Sequence, residues 1–237
     1  FIRDNRSVKL TKSGLMFQEF CERTLQEWER FQCEIGGQAE QLSGLIRIYS
    51  SVTASQSLLS DILSFIKKNH PLITISLETG SSQATFQKIR NDEADVAIAS
   101  YESVNISGMI LKPLKIIPLL LVAPKGITIN EIIDNSCPFI YPKSGLTKRY
   151  VDTWFKQSAI KPKIYTEMTT VDGVMSLVSS GFGAGIVPDL VWQNSPLKKY
   201  CNLIELSKPI QPLKIGICCR KKQQLNPLVQ MMMSISL

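Results

Sequence analysis

The chain has 237 residues, of which 44% are hydrophobic and 20% charged, with a formal net charge of +7. That balance belongs to a chain that folds around a substantial core, and it excludes a single tiny module, a disordered segment and a collagen-like repeat. The longest apolar stretches, Ile116 to Ala123 and Val171 to Leu190, are broken by Pro118, Asp172, Ser179, Ser180 and glycines, so neither gives the roughly 20 unbroken residues of a membrane span.

The chain begins at Phe1 with no apolar stretch before a small-residue cleavage site, so no secretory signal is read and the true start is expected upstream. Asp4 and Asn5 separate FIR from SVKL, which predicts two short strands around a turn whose residues tolerate left-handed angles. Arg3, Arg6 and Lys9 crowd this ribbon, so residues 1–11 are a candidate contact with DNA phosphates or a minor groove; a merely solvated hairpin is the alternative. Thr11 offers an N-cap to a proline-free helix expected from Lys12 to about Gln41. Along it Phe17, Cys21, Thr24, Trp28, Phe31 and Ile35 recur at intervals of 4, 3, 4, 3 and 4. This is the spacing of a coiled-coil seam, flanked by Phe20 and Leu25, and a seam needs a partner helix. A homodimer is therefore expected, with packing on the chain's own domain as the alternative. Gly36, Gly37, Ser43 and Gly44 then detach the helix from the rest of the chain, making 12–42 a linker helix and hinge.

From Leu45 the pattern changes. LIRIYS reads as a strand, Ser55 to Asn69 as a helix with Leu58, Leu59, Ile62, Leu63, Phe65 and Ile66 inward, and LITISLETG as the next strand. A short helix from Ala84 to Asn91 leads to ADVAIAS, an apolar run of the kind buried on both faces of a parallel sheet. ILKPLKIIPLLLVAPK carries β structure into a proline-punctuated crossing. After it PFIYPKSG, a helix from Lys148 to Gln157, KIYTEMTT, a helix from Val171 to Ser180 and GAGIVP repeat the scheme. LKIGICC and a helix from Leu225 to Ile235 close the chain. The expected fold class is α/β with two lobes over 43–237: lobe I at about 43–120 plus 208–237, and lobe II at about 121–207.

Open α/β sheets bind ligands beyond the C-terminal ends of their strands. The residues there are small and hydroxylated: Ser50, Ser51, Thr53 and Ser55 after the first strand, Thr79, Ser81 and Ser82 after the second, Ser100 and Tyr101 after the third. In the second lobe they are Ser144, Gly145, Thr147, Thr169 and Thr170. Beside helix N-termini, whose amides lack intrahelical partners, such hydroxyls make a cup for a small anion, although ordinary capping accounts for any one of them. Ser51, Thr53, Ser100 and Ser144 are the candidate ligand hydroxyls. Lys148 and Arg149, expected in the first turn of their helix, oppose its dipole unless an anion offsets them, which makes them candidate charge partners; outward-pointing surface cations are the alternative. His70 precedes a proline, where helices end, and reads as a surface position. GFGAG at Gly181 to Gly185 follows a helix and precedes a strand, the reverse of a dinucleotide turn, and reads as a helix C-cap. The six cysteines lack CxxC spacing and read as buried free thiols in a reducing cytoplasm. With no HExxH, P-loop, GxSxG or second histidine, no catalytic or metal set is read and no cofactor is expected.

Taken together, RDNRSVKLTKSG, the seam helix, LIRIYSSVTAS, the helix ending in NHP, NDEADVAIAS and SSGFGAGIVPDL resemble a LysR-type transcriptional regulator nearly from end to end. The resemblance implies an effector-binding domain of two lobes like the type 2 periplasmic binding proteins, preceded by a dimerisation helix and the remnant wing of a winged helix-turn-helix. Phe1 to Gly14 is similar to that family's LFxRxxRxxxLTxAG, with Ser13 where alanine is common, so most of the DNA-reading domain is expected before Phe1. Also implied are an operator DNA, a cytoplasmic homodimer or homotetramer, no membrane partner, and RNA polymerase as a further partner. Within the family FIRDNRSVKLT, LSGLIRIYSSVTA, EADVAIA, VDTWF with KIYTEM, and QNSP are most similar to an activator of branched-chain amino acid biosynthesis. That similarity implies an inducer such as acetolactate or acetohydroxybutyrate. A two-lobed periplasmic solute-binding protein shares the architecture and is the main alternative, but it has no use for the seam helix or the basic hairpin. A two-lobed enzyme is disfavoured by the missing catalytic set.

Overall fold

The computed structural model describes residues 2–4, 7–35, 42–102 and 107–236, without the side chains at 2–4, 7–9, 22, 26, 29–35 and 57. At the start β1 (Ile2–Asp4) and β2 (Ser7–Lys9) pair antiparallel with Arg3 opposite Val8, the hairpin that the turn chemistry predicts. Helix α1 (Lys12–Ile35) comes next, capped as expected by Thr11, whose Oγ1 accepts from the Gly14 N–H at 3.0 Å. Its 24 residues make a rod of about 36 Å.

Beyond it the chain runs through β3 (Gly44–Ser51), α2 (Val52–Ala54), a π-helical turn (Ser55–Leu59), α3 (Ser60–Asn69), β4 (Ile73–Gly80), α4 (Thr85–Arg90), β5 (Val96–Tyr101) and β6 (Met109–Ile117). Then come β7 (Leu119–Pro124), α5 (Ile129–Ile133), β8 (Phe139–Pro142), α6 (Gly145–Ser158), β9 (Ile164–Met168), α7 (Val171–Ser179), β10 (Ala184–Pro188) and α8 (Asp189–Asn194). A 3-10 turn (Pro196–Tyr200), β11 (Cys201–Ile204), β12 (Leu213–Arg220), another 3-10 turn (Lys221–Gln223) and α9 (Pro227–Ser234) complete it. The strands form two five-stranded sheets, ordered β4-β3-β5-β12-β6 and β11-β7-β10-β8-β9. In the first, β3 is parallel to β4 and β5, while β12 is antiparallel to β5 and β6. In the second, β8 is parallel to β9 and β10, while β7 is antiparallel to β10 and β11.

The proline-punctuated crossing falls at Pro118, which lies between β6 of one sheet and β7 of the other. Proline has no N–H to continue a ladder. Its carbonyl instead accepts from the Asp189 N–H at 2.9 Å. The chain crosses back between β11 and β12, and β12 inserts between β5 and β6. Pro113 is tolerated within β6 because β6 is an edge strand, and the ladder slips opposite Ile215 and Gly216.

Every residue of β5 and β10 is buried, the two-faced burial that their apolar runs imply. On one side of the first sheet Ile46, Ile48, Ile215 and Ile217 pack with Leu58, Ile62 and Ile66; on the other Tyr49, Ala97 and Cys218 pack with Ile89. Cys218 and Cys219 do point to opposite faces, and burial, reinforced by Cys219, pushes the Cys218 thiol up to about 12. Around the second sheet Phe139 meets Trp154 and Phe155 of α6, and Ile140 and Val187 meet Val174, Met175 and Val178 of α7. Cys21, Cys137, Cys201, Cys218 and Cys219 are free thiols; the side chain of Cys33 lies outside the described residues.

Three expectations need correction. The helix expected from Ser55 starts at Val52 and passes through a π turn before α3. Phe65, expected inward, is 36% exposed, because Ile62 and Ile66, one turn apart, face the sheet and Phe65 falls at the rim of that face. The helix expected from Lys148 starts at Gly145. His70 ends α3 as expected, partly exposed, its N–H donating to the Ile66 carbonyl at 2.7 Å.

Candidate functional site: facing turns of the two lobes

In both lobes the informative turns lie just after parallel strands. At the end of β3 Ser51 is 1% exposed, its Oγ accepts from the Ala54 N–H at 3.3 Å, and its carbonyl accepts from Ser55 Oγ at 3.0 Å. Ser51 is thus the N-cap of α2, and Thr53, half-buried, lies within that helix rather than in a turn before it. At the end of the adjacent β5 Ser100 is buried, with its Oγ 3.3 Å from Ser82 Oγ. The turn carrying Ser82 is fixed by Tyr49, whose hydroxyl donates to the Ser81 carbonyl at 3.0 Å. Gly80 makes room for that hydroxyl, which a Cβ there would meet.

In the second lobe Ser144 stands at the N-cap of α6 with extended backbone, but its side chain accepts no cap bond. Gly145, at φ +83°, turns the chain into the helix, a conformation that favours glycine. Because Ser144 and Gly145 supply the start, Lys148 closes the first turn and Arg149 opens the second, so the opposition to the dipole is weaker than expected. Lys148 Nζ sits 4.1 Å from the Tyr141 ring centre and 3.8 Å from Asp152 Oδ1. Arg149 pairs with Glu102, the residue after β5 of the first lobe. Beyond β9, Thr170 caps α7 by accepting from the Gly173 N–H at 3.2 Å, and Asp172 in that first turn accepts from Gln56 Nε2 of the first lobe.

The Arg149–Glu102 and Gln56–Asp172 contacts both join the lobes, so the strand ends bearing Ser51 and Ser100 face those bearing Ser144. A cavity of about 300 Å³ flanks the second contact, lined among others by Gln56, Asp172, Met175, Val191 and Pro196. Glu102, Gln56 and Asp172 are missing from the residues that sequence reasoning singles out. Their partners are remote in the chain, and only the polar first turn of α7 offers a local sign.

On α1, Phe17, Phe20, Leu25 and Trp28 are each more than half exposed, and the Phe17 and Phe20 rings stack at 6.5 Å. Cys21 is half-buried, and Thr24 turns its hydroxyl back to the Phe20 carbonyl at 2.8 Å. Phe31 and Ile35 continue the helix, but their side chains lie outside the described residues, as do those of Arg3 and Lys9 and the whole of Arg6. Among the described residues no cluster of His, Cys, Asp and Glu could hold a metal, and no helix is long and apolar enough to cross a membrane.

Two α/β lobes whose hydroxyl-bearing strand ends face each other make an effector-binding domain of the periplasmic-binding-protein type. The family model described as the LysR substrate binding domain matches residues 39–236, and the chain belongs to the LysR family of transcriptional regulators, which bind DNA and small-molecule effectors and form oligomers. The HTH-type transcriptional activator IlvY of Haemophilus influenzae is 33% identical over 97% of this chain and 82% of its own length. The HTH-type transcriptional regulator IlvY of Escherichia coli is 30% identical over 97% of this chain and 81% of its own length. HinK, a LysR family transcriptional regulator from Pseudomonas aeruginosa, has the same fold with a TM-score of 0.69 at 17% identity, over 95% of this chain and 81% of that one. The effector binding domain of QuiR, solved with shikimate, gives 0.67 at 20% identity, over 80% of this chain and 93% of that one.

Proposed function

We propose that this chain is the effector-sensing and dimerising part of a cytoplasmic activator of branched-chain amino acid biosynthesis, induced by an acetohydroxy acid such as acetolactate or acetohydroxybutyrate. The observation that carries a small anionic effector is the facing pair of strand-end sets, hydroxyls on both lobes with cations on the second, joined through Arg149 and Glu102. The particular inducer and the activating role are drawn from the similarity to the IlvY proteins. Ser51, Thr53, Ser100 and Ser144 supply hydrogen bonds to the hydroxyl and keto oxygens, and Lys148 or Arg149 supplies charge to the carboxylate. A ligand held by both lobes has different affinities for their open and closed arrangements, and so shifts the population that positions the DNA-binding wings.

Arg3, Arg6 and Lys9 contact operator DNA from the hairpin, RNA polymerase is the activator's further partner, and residues 12–42 serve as linker and hinge. The aromatic face of α1 pairs with the same helix of a second copy, giving a homodimer on which a homotetramer can be built. Trp28→Asp would bury a charge in that pairing and should turn the dimer into monomer in sedimentation equilibrium; a dimer that survives removes the seam from the account.

Calorimetry with acetolactate tests the effector. The whole chain should give binding heat, Arg149→Ala should weaken it by roughly 10- to 150-fold through loss of a charge-assisted bond, and Thr53→Ala by about 2- to 10-fold. A folded protein that gives no heat at millimolar acetolactate overturns the reading.

A further inference from the structure

We infer that Glu102 is a built-in competitor for the anion that Arg149 binds, so that an effector carboxylate enters by taking the place of the Glu102 carboxylate; this rests on the proposed role of the facing turns as an effector site. Glu102 comes directly after the last residue of β5, two positions after Ser100, and its Oε1 meets Arg149 Nη2 of the opposite lobe. A ligand carboxylate accepting from the same guanidinium needs the same donors, and chemically it is the same acceptor. Lys148 is placed differently. Its partners, Asp152 and the Tyr141 ring, belong to its own lobe, so releasing it changes nothing across the gap.

The exposure of the pair suits this role. The side chains of Arg149 and Glu102 are 58% and 42% exposed, and ion pairs so open to water are weak. A weak contact holds the lobes together without ligand yet yields to one that brings additional bonds to Ser51, Ser100 and Ser144. It also imposes a charge requirement. A neutral molecule of the same shape that displaced Glu102 would leave Arg149 without a counter-charge, whereas an anion exchanges one carboxylate for another.

Wild type and Glu102→Gln, both as the whole chain, separate this proposal from the effector assignment. Phenylglyoxal modification of Arg149, with mass spectrometry and exposed Arg90 as internal reference, reads the pair without any ligand. Release from an exposed ion pair should speed modification of Arg149 by roughly two- to sixfold in the variant and leave Arg90 unchanged. Acetolactate affinity, measured on the same two proteins, should rise by a similar factor. Equal modification rates overturn the proposal whatever acetolactate does, and so does faster modification with an unchanged acetolactate affinity. Faster modification with no acetolactate heat in either protein upholds the Glu102–Arg149 pairing but removes the acetohydroxy-acid effector, and with it the competition between the two carboxylates.

Discussion

On the first lobe Ser51 and Ser100 are buried and already serve the fold, one capping α2 and the other meeting Ser82. On the second lobe Ser144 is exposed, its side chain caps nothing, and the charged groups Lys148 and Arg149 reach for partners outside the helix backbone. One wall is therefore set by folding, and the other by whatever approaches it. The practical consequence is that a substitution at Ser51 or Ser100 disturbs stability and ligand binding together, whereas one at Ser144 reports on binding alone.

A series of cap truncations can break that contrast. Ser51→Ala should cost most, about 1–2 kcal/mol, because it leaves a buried helix N–H without its acceptor. In thermal denaturation this is a fall of roughly 2–8 °C for a chain of this size. Thr170→Ala removes a cap bond that is exposed to water, and should cost about 0.5–1 kcal/mol. Ser144→Ala should be smallest, within about 0.5 kcal/mol. Equal melting losses for Ser51→Ala and Ser144→Ala would mean that the two walls do not differ in the way their geometry indicates.

Local physics is legible where it suffices. ADVAIAS and GAGIVP announce strands buried on both faces because their residues leave no polar side to expose, and GFGAG announces a helix end because Gly181 and Gly183 take φ of +85° and +150°. Patterning puts the helix starts three residues late at both Val52 and Gly145, since Val, Thr and Gly are poor helix formers; the first start depends on the Ser51 cap, and the second on the turn that Gly145 makes at φ +83°. The insertion of β12 between β5 and β6 has no local signature either, because periodicity tells which residues face the core but not which strand lies alongside. The hydroxyls of the candidate site can be found by looking after each strand. Glu102 cannot, because its significance depends on Arg149 arriving from the other lobe.

Hydrogen exchange over the whole chain, with and without acetolactate, tests most directly whether one ligand touches both walls. The first-turn amides of α2 and α6 lack intrahelical acceptors and so respond to anything that binds there. Exchange should slow together in peptides covering Ser51 to Ser55 and Ser144 to Arg149, with the same midpoint in ligand concentration. Slowing confined to one lobe, or absent from both at saturating acetolactate, would contradict a site shared between them.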